Sequence, residues 1–327
     1  MARILLGPIW TLEDFACEQR RQAIGRLAEF ADVDHYTGEL TAEKGRDVIA
    51  VIASSLLIHA EFYDTATDLR IIARYGVGFE SVNVDKATES GVLVTTAAEH
   101  IETVAEYAVA QWLATSKRVY TLNRNAHAGE FALMGTREIR GSTLGIYGFG
   151  RIGQAVARMA LPLLGSEGRL LVYDLRDDIG EVAAEFDAEA VRDPIDLFAR
   201  SDCITMHLAG GETVIHDEHL EAMQPHASLV NAARGVAVDD DAVQRALAQG
   251  CMYYYVVDDP VNGPRAIHKD HPRIICTNHN GGITQESVVR LDLQTIEQVT
   301  DAINGREPAH ILNRDVLDHP RVRAWLK

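Results

Sequence analysis

Residues 142–174 constrain the fold more than any other part of the chain. They begin Ser142-Thr143-Leu144-Gly145-Ile146-Tyr147-Gly148-Phe149-Gly150-Arg151-Ile152-Gly153 and end Leu170-Leu171-Val172-Tyr173-Asp174. A short apolar run thus enters a Gly-x-Gly-x-x-Gly turn, a segment of helical pattern leaves it, and a second apolar run ends in a carboxylate. Strand, turn, helix, strand and acid in that order are the fingerprint of a dinucleotide-binding βαβ unit. Gly148 allows the tight turn, Gly150 lets backbone approach a pyrophosphate held at the start of a helix opened by Arg151 and Ile152, and Gly153 lets helix pack on strand. Asp174 is placed to accept hydrogen bonds from the adenosine ribose and to repel a 2'-phosphate. NAD is therefore expected in preference to NADP, although Arg176 lies close by.

The rest of the chain fits a soluble enzyme built around that unit. A length of 327 residues predicts two domains, and 47% hydrophobic with 24% charged residues is an ordinary globular composition. The net charge of -17 comes without a long basic run, which argues against nucleic acid or an anionic membrane surface as partner. Cys17, Cys203, Cys251 and Cys276 lie far apart with no Cys-x-x-Cys pair, the pattern of reduced thiols in a cytoplasmic protein. The first residues read as a strand, their apolar run being too short for a signal peptide. The most apolar window, residues 48–60, carries Ser54, Ser55 and His59 and falls short of a membrane span. His216, His219, His226, His268 and His271 show no metal-ligand spacing, so no metal is expected.

In chain order, apolar runs at 4–6, 48–52, 69–73 and 92–95, with a helical pattern near 13–29, make a first α/β region. Between two of those runs sits Arg74-Tyr75-Gly76-Val77-Gly78-Phe79-Glu80. Its paired glycines predict either a tight turn of positive φ or a close approach of backbone N–H groups to an anion. Apolar residues at helical spacing from 102 to 123, including Val104, Tyr107, Ala108, Trp112 and Leu113, predict one long linking helix. Beyond the fingerprint, strands at 203–208, 228–231, 253–257 and 274–277 and a helix at 239–249 complete a doubly wound parallel sheet. A last helix, at 285–304, follows that sheet and is expected to return to the first domain.

Several motifs in this order resemble the D-isomer-specific 2-hydroxyacid dehydrogenases, which include phosphoglycerate, formate and phosphite dehydrogenases. The resemblance rests on residues 75–80, Val104-Ala105-Glu106, the glycine fingerprint, His207-Leu208, Asn231-Ala232-Ala233-Arg234-Gly235, Asp258 and Thr277-Asn278-His279-Asn280-Gly281-Gly282, and it spans nearly the whole chain. It implies two Rossmann-like domains with doubly wound parallel sheets and a cleft between them: a discontinuous substrate domain (1–99 and 287–327) and an NAD-binding domain (100–286). It also implies a homodimer formed largely through the NAD-binding domains. The implied activity is hydride transfer between nicotinamide and a small 2-hydroxy or 2-keto acid. Arg234 would hold the substrate carboxylate, since guanidinium grips carboxylate through two parallel hydrogen bonds. His279 would serve as acid and base. His207, Ala232, Asp258 and Gly281 would join Gly148, Gly150, Arg151, Ile152, Gly153 and Asp174 in holding the cofactor, with Asp258 at the nicotinamide carboxamide. Ser54, Val77, Gly78 and His100 would face the substrate.

The chain also departs from the family. Where the family places a Glu that hydrogen-bonds the catalytic histidine, the sequence Asp258-Asp259-Pro260-Val261-Asn262-Gly263-Pro264 has Gly263. A carboxylate beside an imidazole favours its charged form and fixes its tautomer, and Gly263 offers neither. Bulky Tyr253, Tyr254 and Tyr255 stand where small residues are usual, and Asn278 replaces the proline before the histidine. Val77 stands where phosphite dehydrogenases carry a Lys, and Ser54 and Ser55 where phosphoglycerate dehydrogenases present an Arg, which disfavours phosphite and phosphorylated substrates. His100 lies where formate dehydrogenases place a substrate-contacting Asn. Two alternatives follow: altered chemistry, as an NAD-using isomerase or a formate-type dehydrogenase, or a non-catalytic NAD-sensing interaction protein.

Overall fold

The structure, a computed structural model, describes residues 2–259 and 271–327. The Gly263 departure and His268 lie outside the described residues. The chain divides into two compact units, Met1–His100 with Ile283–Lys327, and Ile101–Gly282.

The first unit is a five-stranded parallel sheet made of β1 (Arg3–Leu6), β2 (Asp32–His35), β3 (Val48–Ala53), β4 (Ile71–Arg74) and β5 (Leu93–Thr96), in the order β2-β1-β3-β4-β5. Its inner strands read as unbroken apolar runs because helices cover both faces. Ile4, Leu6, Ile52 and Ala73 pack on one face with Ala23 and Leu27 of helix Glu18–Ala28 and Leu291 and Val299 of helix Gln285–Ile303. The alternate residues Leu5, Val51, Ile72 and Val94 pack on the other face with Phe62, Tyr63 and Ala87. Thr284 caps helix Gln285–Ile303 in a reciprocal box with Ser287, so the return segment starts at a defined point.

The second unit is a seven-stranded parallel sheet of β6 (Thr143–Tyr147), β7 (Arg169–Tyr173), β8 (Glu189–Ala190), β9 (Cys203–Met206), β10 (Ser228–Asn231), β11 (Tyr254–Val257) and β12 (Ile274–Cys276). Its order, β12-β11-β10-β9-β6-β7-β8, reverses direction between β6 and β9. Ala105, Ala108 and Trp112 of helix Ile101–Ser116, with Ala155, Val156 and Ala160 of helix Arg151–Leu164, bury one face over Leu144, Ile146, Val172 and Val230. Phe198, Val243 and Leu247 bury the other over Leu171, Ile204, Leu229 and Val257.

Three expectations change. The single linking helix is two helices, Ile101–Ser116 and Val119–His127, because Arg118 takes a left-handed φ of 50° between them. The Arg118 guanidinium lies 4.0 Å from the centroid of the Tyr253 ring, a cation–π contact that gives one of the bulky tyrosines a structural role. The early helix is shorter than its pattern: a 3-10 turn at Glu13–Phe15 precedes helix Glu18–Ala28, whose Arg20 N–H is capped by Cys17 Sγ. Strands β2 and β8 were not expected, and both lie on sheet edges. No helix among the described residues is long and apolar enough to cross a membrane.

Candidate active site

Strand register brings the residues singled out in the second unit to one edge of its sheet. Tyr147 and Asn231 both pair with Met206, Asn231 with Val257, and Val257 with Cys276. The chain therefore leaves β6, β9, β10, β11 and β12 side by side, at Gly148, His207, Ala232, Asp258 and Thr277. In an open α/β sheet this carboxyl edge, at the point where strand order reverses, is where ligands bind.

The turn after β6 has the shape a dinucleotide needs. Gly148 has φ +92°, and a Cβ there would lie 2.5 Å from the carbonyl oxygen of His207, so the backbones leaving β6 and β9 approach with no room for a side chain between them. A Cβ on Gly153 would lie 2.3 Å from the Gly148 carbonyl oxygen, whereas one on Gly150 would meet nothing within 4 Å. Gly150 is the N-cap of helix Arg151–Leu164 and no side chain caps it, which leaves the helix's first N–H groups for a ligand anion. Asp174 ends its strand beside this turn, its carboxylate accepting from Phe149 N–H at 2.6 Å and Arg176 N–H at 3.0 Å. Two acceptor positions of that carboxylate remain for ribose hydroxyls. The Arg176 guanidinium is engaged by Asp178 at 2.5 and 2.8 Å. His207 is partly buried, its Nδ1 out of solvent and its Nε2 within 2.9 Å of Thr205 Oγ1, and desolvation of the ring pushes its pKa down to about 3. It is a neutral imidazole whose backbone, through the Gly148 contact, shapes the turn.

Arg234 and His279 are each set by polar side chains at the strand ends. Asn231, 1% exposed, accepts from Ala233 N–H at 3.0 Å and donates to the Arg234 carbonyl at 2.8 Å, folding the Ala232–Ala233–Arg234 turn around its own amide. The same amide donates to Tyr255 Oη at 3.2 Å, so a second bulky tyrosine props the turn that presents Arg234. His279 takes a left-handed φ of 53°, uncommon for a residue with a Cβ. Asp258 holds that conformation in place. Its carboxylate accepts from Thr277 Oγ1 at 2.5 Å, Asn280 N–H at 2.8 Å and Gly281 N–H at 2.7 Å, so both oxygens serve the histidine loop. Thr277 gives its proton to Asp258, which makes Tyr107 the donor in their 2.7 Å hydrogen bond. The Nδ1 atom of His279 is buried and has no hydrogen-bond partner among the described residues.

The first unit carries the other singled-out residues. Gly76 follows β4 with φ +123°, and a Cβ there would lie 3.8 Å from both Arg74 Nη1 and His100 Cε1, so His100 and the Arg74 guanidinium flank this turn. The N–H groups of Val77 and Gly78 donate to no acceptor among the described residues. Ser54 ends β3 with its N–H on Tyr36 Oη at 3.2 Å and its Oγ accepting from Leu56 N–H at 3.3 Å. Tyr107, Thr277 and Asn231 were missed as site residues. Tyr107 read as one more apolar position of a helix, and only the pairing of β11 with β12 brings Thr277 beside Asp258. Among the described residues no group of His, Cys, Asp and Glu is arranged to hold a metal ion.

The NAD binding domain described for D-isomer specific 2-hydroxyacid dehydrogenases matches residues 109–281. The chain belongs to that family and is an NAD(P)-dependent 2-hydroxyacid oxidoreductase. It is 30% identical over 306 residues to a glyoxylate reductase of Thermococcus onnurineus, covering 88% of this chain and 89% of that one. It is 32% identical over 312 residues to glyoxylate/hydroxypyruvate reductase B of Pectobacterium atrosepticum, covering 90% and 92%. Among solved structures, the TT0316 protein from Thermus thermophilus matches with a TM-score of 0.79 at 26% identity, over 95% of this chain and 99% of that one.

Proposed function

We propose that the chain reduces a small 2-keto acid of the glyoxylate or hydroxypyruvate class, with NADH preferred to NADPH. The observation that carries this reading is the shared sheet edge, from which the Gly148 turn, the Arg234 turn and the His279 loop all leave. A bound reduced nicotinamide supplies the hydride. Arg234 grips the substrate carboxylate through its guanidinium fork and draws electron density from the neighbouring carbonyl. His279, its Nδ1 buried, uses Nε2 to protonate the oxygen as the carbonyl carbon accepts hydride, giving the 2-hydroxy acid. Asp258 positions the His279 loop with three of its four acceptor positions and keeps one, on Oδ2, for the nicotinamide carboxamide. Backbone at His207, Ala232 and Gly281, with Arg151 and Ile152 at the helix start, would hold the cofactor. Val77 and Gly78 offer N–H groups to the substrate, with His100 and Ser54 near it. Asp174 supports the NADH preference by its charge, and the Arg176–Asp178 pair by occupying the nearest guanidinium.

Gly263 at the family's Glu position favours one second reading, a formate-type dehydrogenase in which no carboxylate assists the histidine, and among the described residues His279 Nδ1 has no partner. A single panel separates the two: oxidation of NADH and NADPH with glyoxylate, hydroxypyruvate and larger 2-keto acids, beside reduction of NAD by formate. NADH-linked turnover of the small keto acids is expected. Turnover of formate alone would replace this reading with the second, and equal use of NADPH would overturn the role given to Asp174. We also propose a homodimer through the second unit, where Phe131 and Leu133 are 80% and 103% exposed in the stretch after helix Val119–His127. Sedimentation at the mass of one chain would contradict it.

A further inference from the structure

Arg20 and Asp292 of the first unit form an ion pair out of solvent, 3% and 2% exposed. Arg20 Nε and Nη2 donate to the two Asp292 oxygens at 2.7 and 3.0 Å, and Nη1 donates to the Ile9 carbonyl at 2.8 Å. The rings of Trp10 and Phe15 lie 4.9 and 5.8 Å from the guanidinium carbon. Burying two charges in this way is costly, and well-packed apolar residues often serve stability as well or better. What the pair holds is therefore informative.

It holds Tyr75. The Tyr75 hydroxyl donates toward Asp292 Oδ1 at 2.8 Å and the Val288 carbonyl at 3.0 Å, and its ring meets Trp10 edge-on at 6.1 Å. Burial raises the phenol's pKa, so it stays a neutral donor. At its other end, Tyr75 N–H donates to the Ala53 carbonyl at 2.9 Å, and its own carbonyl accepts from Arg74 Nη1 at 2.5 Å. The next residue is Gly76, which opens the turn whose Val77 and Gly78 N–H groups have no acceptor among the described residues. Helix Glu18–Ala28, helix Gln285–Ile303 and the glycine turn thus meet at one phenol.

We propose that the Arg20–Asp292 pair is a positioning device: through the Tyr75 hydroxyl it fixes the turn at 76–78 so that the Val77 and Gly78 N–H groups are preset for the substrate carboxylate. The assignment of the anion rests on the reading of this turn given under the proposed function; the restraint on the turn does not. Preset donors cost nothing to order when substrate arrives, so the device acts on substrate affinity and leaves dinucleotide affinity alone.

Two variants test it. Tyr75→Phe removes the hydroxyl and keeps the ring against Trp10, and Arg20→Met with Asp292→Leu replaces the pair by apolar residues without stranding a charge. In both, amide hydrogen exchange at Tyr75 and Ala97, whose N–H groups tie the turn to the carbonyls of Ala53 and of Arg74 and Gly76, should quicken. KM for glyoxylate should rise about tenfold, the scale of one lost hydrogen bond to a charged group. NADH affinity by fluorescence titration should be unchanged, and the double variant should melt no lower than the wild type. Unchanged exchange and KM would overturn the proposal and reduce the pair to packing. Faster exchange with unchanged KM would keep the restraint and overturn the substrate role of the turn. Should the double variant fail to fold, Tyr75→Phe decides alone by the same two readouts.

Discussion

Two glycine turns leave the carboxyl ends of parallel strands in this molecule, one at Gly148 after β6 and one at Gly76 after β4, and they are held in opposite ways. The Gly148 turn is held mostly within the βαβ unit, where Asp174 after the adjacent strand accepts Phe149 N–H, with the His207 backbone after β9 closing on Gly148. The Gly76 turn is held from afar, through Tyr75 to Asp292 and Arg20, partners separated by 272 positions in sequence. A turn built for a constant ligand can be written into one short motif. The turn at Gly76 is set by what the surrounding helices bring to it.

The difference can be broken first by adding a methyl group. Gly148→Ala forces a Cβ to within 2.5 Å of the His207 oxygen and puts it at positive φ, whereas Gly76→Ala meets only atoms at 3.8 Å and carries the φ cost alone. Gly148→Ala is expected to cost about 2–5 kcal/mol, from overpacking and left-handed strain together, and Gly76→Ala about 1–2 kcal/mol. Thermal melts of the two variants give the order; equal losses would mean that the approach of His207 to Gly148 is not tight.

Acid sharpens the contrast more gently. An unfolded His207 takes up a proton near its ordinary value of about 6.5, but the folded one does so only near 3. Between those values the unfolded state binds the extra proton, so stability falls as pH drops, by up to about 1.4 kcal/mol per pH unit from this group. Urea melts from pH 7 to pH 5 should therefore show a shallower loss in His207→Asn than in the wild type. Parallel curves would mean that water reaches the His207 ring.

What could be read from sequence follows the same division. The fingerprint and the β/α alternation were legible because each is written in a short local pattern, and the resemblance put Arg234 and His279 just beyond strand ends, where β10 and β12 do end. Strand β2, Asp-Val-Asp-His, was not legible: as an edge strand with no fully buried residue it carries no apolar run. The break at Arg118 was missed because apolar spacing continues across it, and only the left-handed residue and its contact with Tyr253 separate the helices. The Asp258 carboxylate could be located but its partners could not. Its hydrogen bonds run to Thr277, Asn280 and Gly281, brought to it by the β11–β12 pairing. The bulk of Tyr253 and Tyr255, which stands where the family has small residues, is spent on Arg118 and Asn231.

The most direct test of the account compares His279→Gln and Arg234→Lys with the wild type, measuring NADH affinity by fluorescence and glyoxylate-dependent NADH oxidation by absorbance. Both variants should bind NADH as the wild type does. Loss of the proton donor should lower turnover by about 10²–10⁴-fold in His279→Gln, and loss of the guanidinium fork should lower kcat/KM in Arg234→Lys by a smaller factor, since the charge remains. Turnover that survives unchanged in His279→Gln, with NADH bound normally, would contradict the account, because the proton would then come from a group other than the one this sheet edge presents.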